Sequence, residues 1–258
     1  MALIIALANQ KGGVAKTTST INLAHALCQR GKRVLAVDMD PQASLTIYFG
    51  QDPRALEMQR KTIYWALSSE NAPLAAIIIP GNIDLVPASL QLDKAEREFV
   101  IELDSGTILK HKLAEVRDQY DFILIDCRPT LTILTINALI ATDAVLIPVK
   151  TDYLSIMGIP LLVETIEEMK RRPNPQLKII GVLPTMYNPR NTHDNDALDA
   201  LRQEIHAGIH FFDPINRSTS FDKSAAEGVA TLATHPNAPG VHNYYQVADY
   251  LIAYASEK

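Results

Sequence analysis

The sequence predicts an α/β fold: a mostly parallel, twisted sheet with helices on both faces. Three observations predict it. Short apolar runs alternate with stretches whose apolar residues recur at helical spacing. The runs are continuously apolar, as in strands covered on both sides. A Gly-rich turn joins the first run directly to a helical stretch.

Each element follows from its residues. Leu3–Ala8 is the first strand. Thr17–Arg30 places Ile21, Leu23, Ala24 and Leu27 at helical spacing, and Gly31 stops the helix. Arg33–Asp38, Ile83–Val86 and Phe122–Asp126 are further strands, followed by Asp143–Val149, Lys178–Leu183 and a weaker Ile209–Phe212. Helices are expected over Ile108–Arg117, Thr132–Ile140, Met157–Arg171, Asp194–Ile205 and Tyr244–Ala255. Residues 41–80 and 213–243 are the least regular. The second stretch holds Pro214, Gly228, Pro236, Pro239 and Gly240 and reads as long loops on one rim. No repeat or linker interrupts the chain, so residues 1–258 are expected to form a single domain.

Composition narrows the function. A net charge of −5 argues against wrapping nucleic acid with the whole surface, so any DNA contact needs a local basic patch. Cys28 and Cys127 have neither CxxC nor Cys/His spacing and read as buried, reduced thiols. The start of the chain lacks the charged region of a signal peptide. The longest apolar stretch, Leu131–Val149, is broken by Asn137, Asp143 and Pro148, so it reads as helix then strand, not a membrane span. A cytoplasmic location is expected.

The chemistry concentrates at Lys11-Gly12-Gly13-Val14-Ala15-Lys16-Thr17-Thr18, after a strand and opening a helix. Backbone N–H groups of such a turn point at phosphate oxygens, and the helix N-terminus adds a favourable dipole. Lys16 neutralises β- and γ-phosphate charge, Thr17 offers a hydroxyl to Mg²⁺, and Thr18 reaches the α-phosphate. Asp38 and Asp40 end the second strand on one side of it. Phe122-Ile123-Leu124-Ile125-Asp126 has the form of a Walker B strand, whose Asp126 binds Mg²⁺ through water.

In detail the loop is not an ordinary Walker A, because Gln10 stands where the first glycine falls. A lysine five residues before Lys16 instead resembles KGGxGK[ST]T, the deviant Walker A of the ParA/MinD family. Val37-Asp38-Met39-Asp40-Pro41-Gln42 resembles its VDxDPQ segment. Leu134–Leu139 and Val145–Val149 resemble its LTxNAL and VLIPV stretches, and Gly181–Asn188 its GxLxTMYD loop. The resemblance implies a P-loop NTPase fold, an ATPase using ATP and Mg²⁺, and a dimer that sandwiches ATP. It implies that Lys11 reaches the partner's phosphates, that Asp40 orients the attacking water, and that Asp38 supports the metal shell. It places the adenine beside Met186 and beside residues Pro214 to Arg217, Asn216 among them. Two positions depart from the pattern. Ala15 replaces a glycine, which restricts the backbone if φ must be positive there. Arg128 replaces a proline after Asp126. Lys150, where relatives often have glutamine, is either solvated or part of the site's rim.

Three readings follow. The first is a ParA-like ATPase that binds DNA nonspecifically and positions a plasmid, a chromosome or a protein organelle, with a ParB-like or McdB-like partner stimulating hydrolysis. A McdA-like, carboxysome-positioning branch falls within it. The second is a MinD-like membrane ATPase, and the third a metabolic enzyme or cluster carrier on the same scaffold. The last helix carries Asp249 and Glu257 with Lys258 alone as a cation, which is unlike a membrane anchor. No paired cysteines suit a cluster. Candidate DNA contacts are Lys170, Arg171 and Arg172, with Arg190, Arg202, Arg217 and Lys223. The phosphate loop begins so early that a preceding helix-turn-helix is not expected.

Overall fold

A computed structural model describes residues 1–69, 71–99, 105–205 and 208–257. Lys258, assigned above to the last helix, lies outside the described residues. The strands are β1 (Leu3–Leu7), β2 (Val34–Met39), β3 (Asp84–Val86), β4 (Phe122–Cys127), β5 (Ala144–Lys150), β6 (Lys178–Thr185) and β7 (His210–Phe211). They form one sheet in the order β3-β2-β4-β1-β5-β6-β7, and every pair in it is parallel. The seven expected strands are these seven, and each boundary moves by two residues or fewer.

β1 shows why both faces must be covered. Its alternate residues enter different cores: Ile4 and Ala6 on one face, Leu3, Ile5 and Leu7 on the other. The second face is closed by Leu23 and Leu27 of the helix Lys16–Gln29 and by Tyr244, Val247 and Leu251 of the helix Val241–Ser256. The first is closed by Leu109, Leu134 and Leu162 from the helices Ile108–Ala114, Ile133–Ala141 and Ile159–Arg171. Burying one such aliphatic side chain contributes roughly 1.5–3 kcal/mol. The two helices of the second face are also joined by a hydrogen bond between Ser19 and Tyr244, 3.0 Å, and by Arg30 on Asp249, 2.7 Å.

Several expectations change. Residues 41–80 contain the short helices Ser44–Tyr48, Pro53–Met58 and Ile63–Leu67, and residues 213–243 contain Thr219–Glu227 and Thr231–Thr234. The helix expected over Met157–Arg171 runs over Ile159–Arg171 with Pro160 in its first turn, and a short helix that was not expected, Tyr153–Ile156, precedes it across Gly158. Leu92–Phe99 is a helix that the sequence reading omitted. Cys127 is buried as expected, but Cys28 is only half-buried, its thiol donating to Asn82 O at 3.1 Å.

Pairing of β5 with β6 shifts register between Val145 and Leu146, and Gly181 lies at the shift. A Cβ on Gly181 would stand 2.4 Å from the Phe212 ring and 2.9 Å from His210 O. Gly181→Ala therefore displaces the β7 edge and is expected to cost about 2 kcal/mol, read from denaturant unfolding.

Candidate functional site at the phosphate loop

The chain leaves β1 at Leu7, loops through residues 8–15 and enters its helix at Lys16. Neighbouring strands hold the loop. Asn9 Nδ2 donates to Pro148 O at 2.8 Å, and Asn9 Oδ1 accepts the Lys11 N–H at 2.9 Å. Thr185 Oγ1 donates to Val14 O at 3.1 Å. Asn9 and Thr185 were not singled out in the sequence, where nothing marks a polar residue that serves a distant loop.

Ala15 answers the question its sequence raised. It sits in the left-handed region, φ 61° and ψ 33°, immediately before the helix. A side chain there costs roughly 1–2 kcal/mol. Gly13 is also left-handed, φ 70°, with open space where a Cβ would point.

Lys16 is 7% exposed, and its Nζ donates to Lys11 O at 3.0 Å. Burial lowers its pKa, and the Asp126 carboxylate opposes that shift. Thr17 Oγ1 donates to Asp126 Oδ2 at 2.6 Å, so the two residues expected to serve Mg²⁺ already touch. Asp126 is fully buried. Burial first, and the Asp38 charge second, push its carboxyl up to about 8 against the pull of Thr17 and Lys16. The β2–β4 register places Asp38 opposite Asp126.

Asp38, expected to support the metal shell, accepts hydrogen bonds from its own chain. One oxygen accepts Thr46 N–H and O–H at 2.8 and 2.7 Å, and the other accepts Asp40 N–H at 3.1 Å. It fixes the turn that carries Asp40. Burial pushes its carboxyl up to about 7 even though these bonds favour the charged form. Asp40 is half-buried and lines a cleft of about 450 Å³ together with Gly12, Gly13, Lys16 and Thr17.

A second cavity, about 240 Å³, continues from the first. Ala15, Thr18 and Met186 line both. Asn216, Arg217 and Tyr244 also line it, so Met186 and Asn216, the residues expected beside the base, share one cavity. Pro214 does not line it; its carbonyl instead accepts Asn243 Nδ2 at 2.8 Å. Lys150 does line it, and pairs with Asp152 at 3.0 Å. Lys11 pairs with the same carboxylate at 3.0 Å. Asp152 was missed; its only signal is a helix-capping pattern, Asp152 to Ser155, after the strand. Arg128 turns from the cleft to pair with Glu96 and Asp93 of the Leu92–Phe99 helix.

The DNA candidates do not share one face. The helix Ile159–Arg171 connects parallel strands and so returns to the edge where strands begin, taking Lys170, Arg171 and Arg172 away from the phosphate loop. Arg202 ends the helix Thr192–Glu204 at that same edge, 5.2 Å over the Phe211 ring. Arg217 lines the second cavity, with exposed Arg190 and Lys223 on loop and helix at the opposite edge. Lys170 is paired with Glu167 at 3.2 Å.

The donor set fits a magnesium-bound triphosphate. The buried Lys16, the loop glycines Gly12 and Gly13, Thr17 and Asp40 line one cleft, and behind it Asp126 touches Thr17 with its carboxyl pushed up by burial. Among the described residues no three His, Cys, Asp or Glu side chains gather as a metal site. No described helix is long and apolar enough to cross a membrane.

Comparisons with known proteins agree with this geometry. A family model described as an AAA domain matches residues 2–179. The chromosome-partitioning ATPase Soj of Thermus thermophilus is 37% identical over 98% of this chain and 96% of its own. The sporulation initiation inhibitor protein Soj of Bacillus subtilis is 35% identical over 96% and 97%. Among solved structures, cobyrinic acid a,c-diamide synthase of Mycobacterium smegmatis with a bound ATP analogue and magnesium is similar at 32% identity, TM-score 0.84, covering 98% of this chain and 95% of that one. A Borrelia burgdorferi plasmid partition protein bound to AMPPNP matches at 26%, TM-score 0.82, over 98% and 99%. Cyanothece McdA, at 21% identity, TM-score 0.86, over 97% of this chain and all of that one, shares the fold.

Two outcomes are expected. Ala15→Gly relieves the left-handed alanine and raises stability by about 0.5–1 kcal/mol in thermal unfolding, part of the relief being offset by the freer unfolded chain. The carboxyls of Asp38 and Asp126 have folded pKa values above their unfolded ones, so the folded state holds more protons. Stability of the nucleotide-free protein therefore falls as pH rises from about 4 towards 7 and 8, and Asp38→Asn flattens that slope in urea titrations at stepped pH.

Proposed function

This chain belongs to the ParA/MinD family of P-loop ATPases, and on that footing we propose that it is an ATP-switched dimer that positions cargo on DNA. The observation that carries the reading is Lys11. It rises from the phosphate loop, yet its side chain pairs with Asp152 and does not line the cleft, where Lys16 holds the buried place. A second lysine at the mouth suits the phosphates of a facing subunit, where charge develops during transfer to water.

In this reading the loop amides and Lys16 hold the β- and γ-phosphates, and Thr17 with Asp126 hold Mg²⁺, which neutralises phosphate charge when bound. Asp40, positioned by Asp38, orients the attacking water. Met186 and Asn216 border adenine. Hydrolysis removes the γ-phosphate that Lys11 of the partner subunit grips, and the dimer separates. DNA then binds the dimer and not the monomer, because joining two subunits doubles each weak basic patch. The split of basic residues between two edges of the sheet leaves two surfaces for this: Arg190, Arg217 and Lys223 near the cleft, or Lys170, Arg171, Arg172 and Arg202 opposite. A partner protein of the ParB or McdB kind stimulates hydrolysis, and the cargo is a plasmid, a chromosome or a protein body.

The likeness to cobyrinic acid a,c-diamide synthase favours one second reading, a ligase that uses ATP to activate a carboxylate. DNA co-sedimentation with ATP, with ADP and without nucleotide, at low and raised salt, separates the two. Binding that requires ATP and weakens with salt is expected. Binding indifferent to nucleotide sinks the positioning reading. Lys16→Ala is expected to abolish nucleotide binding, while Lys11→Ala keeps most of it and stays monomeric in sedimentation with AMPPNP.

A further inference from the structure

Two lysines share one carboxylate at the mouth of the cleft. Lys11 Nζ lies 3.0 Å from Asp152 Oδ1, and Lys150 Nζ lies 3.0 Å from Asp152 Oδ2. The three come from different pieces: Lys11 from the phosphate loop, Lys150 from the end of β5, and Asp152 from the cap of the helix Tyr153–Ile156. Asp152 is held in place by its own chain, since Oδ1 also accepts Ser155 N–H at 2.8 Å and its N–H donates to Lys150 O at 2.8 Å. The side chains are partly open to water, at 36% for Lys11, 44% for Lys150 and 32% for Asp152. Burial opposes ionisation of Asp152, but the bonds from Lys11, Lys150 and Ser155 outweigh it and keep the carboxyl far below the usual carboxylate range. The trio therefore sets one carboxylate between two ammonium groups.

We propose that Asp152 parks Lys11 on its own subunit, and that Lys150 is the positioning residue that sets how readily Lys11 is released. The inference rests on the reading of Lys11 as a residue that leaves for the phosphates of a facing subunit. Two ammonium groups on one carboxylate repel each other, so each weakens the other's hold. When Lys11 leaves, Lys150 still neutralises Asp152, and no bare charge stays at the rim. With a neutral residue at 150, the same departure strands Asp152, and Lys11 is held more firmly. Lys150 thus lowers the cost of dimerisation without touching a reacting atom.

The test is the dissociation constant of the dimer at saturating AMPPNP, measured by sedimentation at low salt. Saturation removes any change in nucleotide affinity, which matters because Lys150 also lines the second cavity. Asp152→Asn keeps a residue able to cap the helix and removes only the charge. It is expected to tighten the dimer on the order of fivefold, the effect of one contact between exposed charges. Lys150→Gln is expected to loosen the dimer by a similar factor, and Lys150→Arg to restore it. In the Asp152→Asn background, Lys150→Gln should have no effect, because no carboxylate remains to share. Both single effects should shrink in about 1 M salt. A dimer weakened or unchanged by Asp152→Asn, or a Lys150→Gln effect that persists without Asp152, overturns the proposal.

Failure of the underlying reading looks different: the unaltered protein stays monomeric with AMPPNP. The parked pair is then read in the nucleotide-free protein, from the ¹³C resonance of reductively methylated Lys11. That resonance is expected to move in Asp152→Asn, and its constancy overturns the pairing whatever the dimer does.

Discussion

The hydrogen bond from Thr17 to the buried Asp126 organises this protein. It joins the first turn of a helix to the end of a strand more than a hundred residues away, at the centre of the sheet. An unexposed carboxylate there is costly, and a second one, Asp38, stands beside it on the neighbouring strand. The fold tolerates the pair because each is answered: Asp126 by Thr17 and Lys16, Asp38 by Thr46 and the Asp40 amide. Asp126 keeps a carboxyl that burial pushes up, behind the cleft that Thr17 and Lys16 line. The parallel register, the two buried faces and the orientation of the first helix all serve to hold these few oxygen atoms in place.

Most of the fold could be read in the sequence because the central strands are apolar throughout, and few other structures bury such runs. The phosphate loop and Asp126 could be read because phosphate chemistry fixes both residue type and placement. What escaped reading lacked such constraint. The helices within residues 41–80 are too short to show a period. Alternation placed Asp38 on the proper side of its strand, but nothing in the pattern said that Thr46 would fill its acceptors. Asp152 is a single acid after a strand and becomes notable only when Lys11 and Lys150 arrive from elsewhere. Surface arginines and lysines face water without positional restriction, so the sequence grouped by charge what the topology separates to opposite edges.

The two departures from the family pattern have different physical meanings. Ala15 keeps the left-handed backbone that glycine would adopt freely, so the loop's shape is preserved at the expense of local strain. Strain at such a place persists only where the surroundings impose it, and here Asn9 and Thr185 pin the loop on either side. Arg128 changes connections rather than shape. It ties the segment after Asp126 to the helix Leu92–Phe99, so movement at the end of β4 is shared with a helix on the sheet's outer flank.

The position of β1 has a consequence for biosynthesis. It leaves the ribosome before the other strands, yet in the sheet it lies between β4 and β5. The groups that brace the loop behind it, Asp126, Pro148 and Thr185, emerge far later, and Tyr244, which steadies the adjoining helix through Ser19, later still. A nascent chain therefore carries the phosphate-binding motif long before the means to use it, and nucleotide cannot guide early folding. Competence waits on these later segments, which guards against half-made subunits entering an assembly.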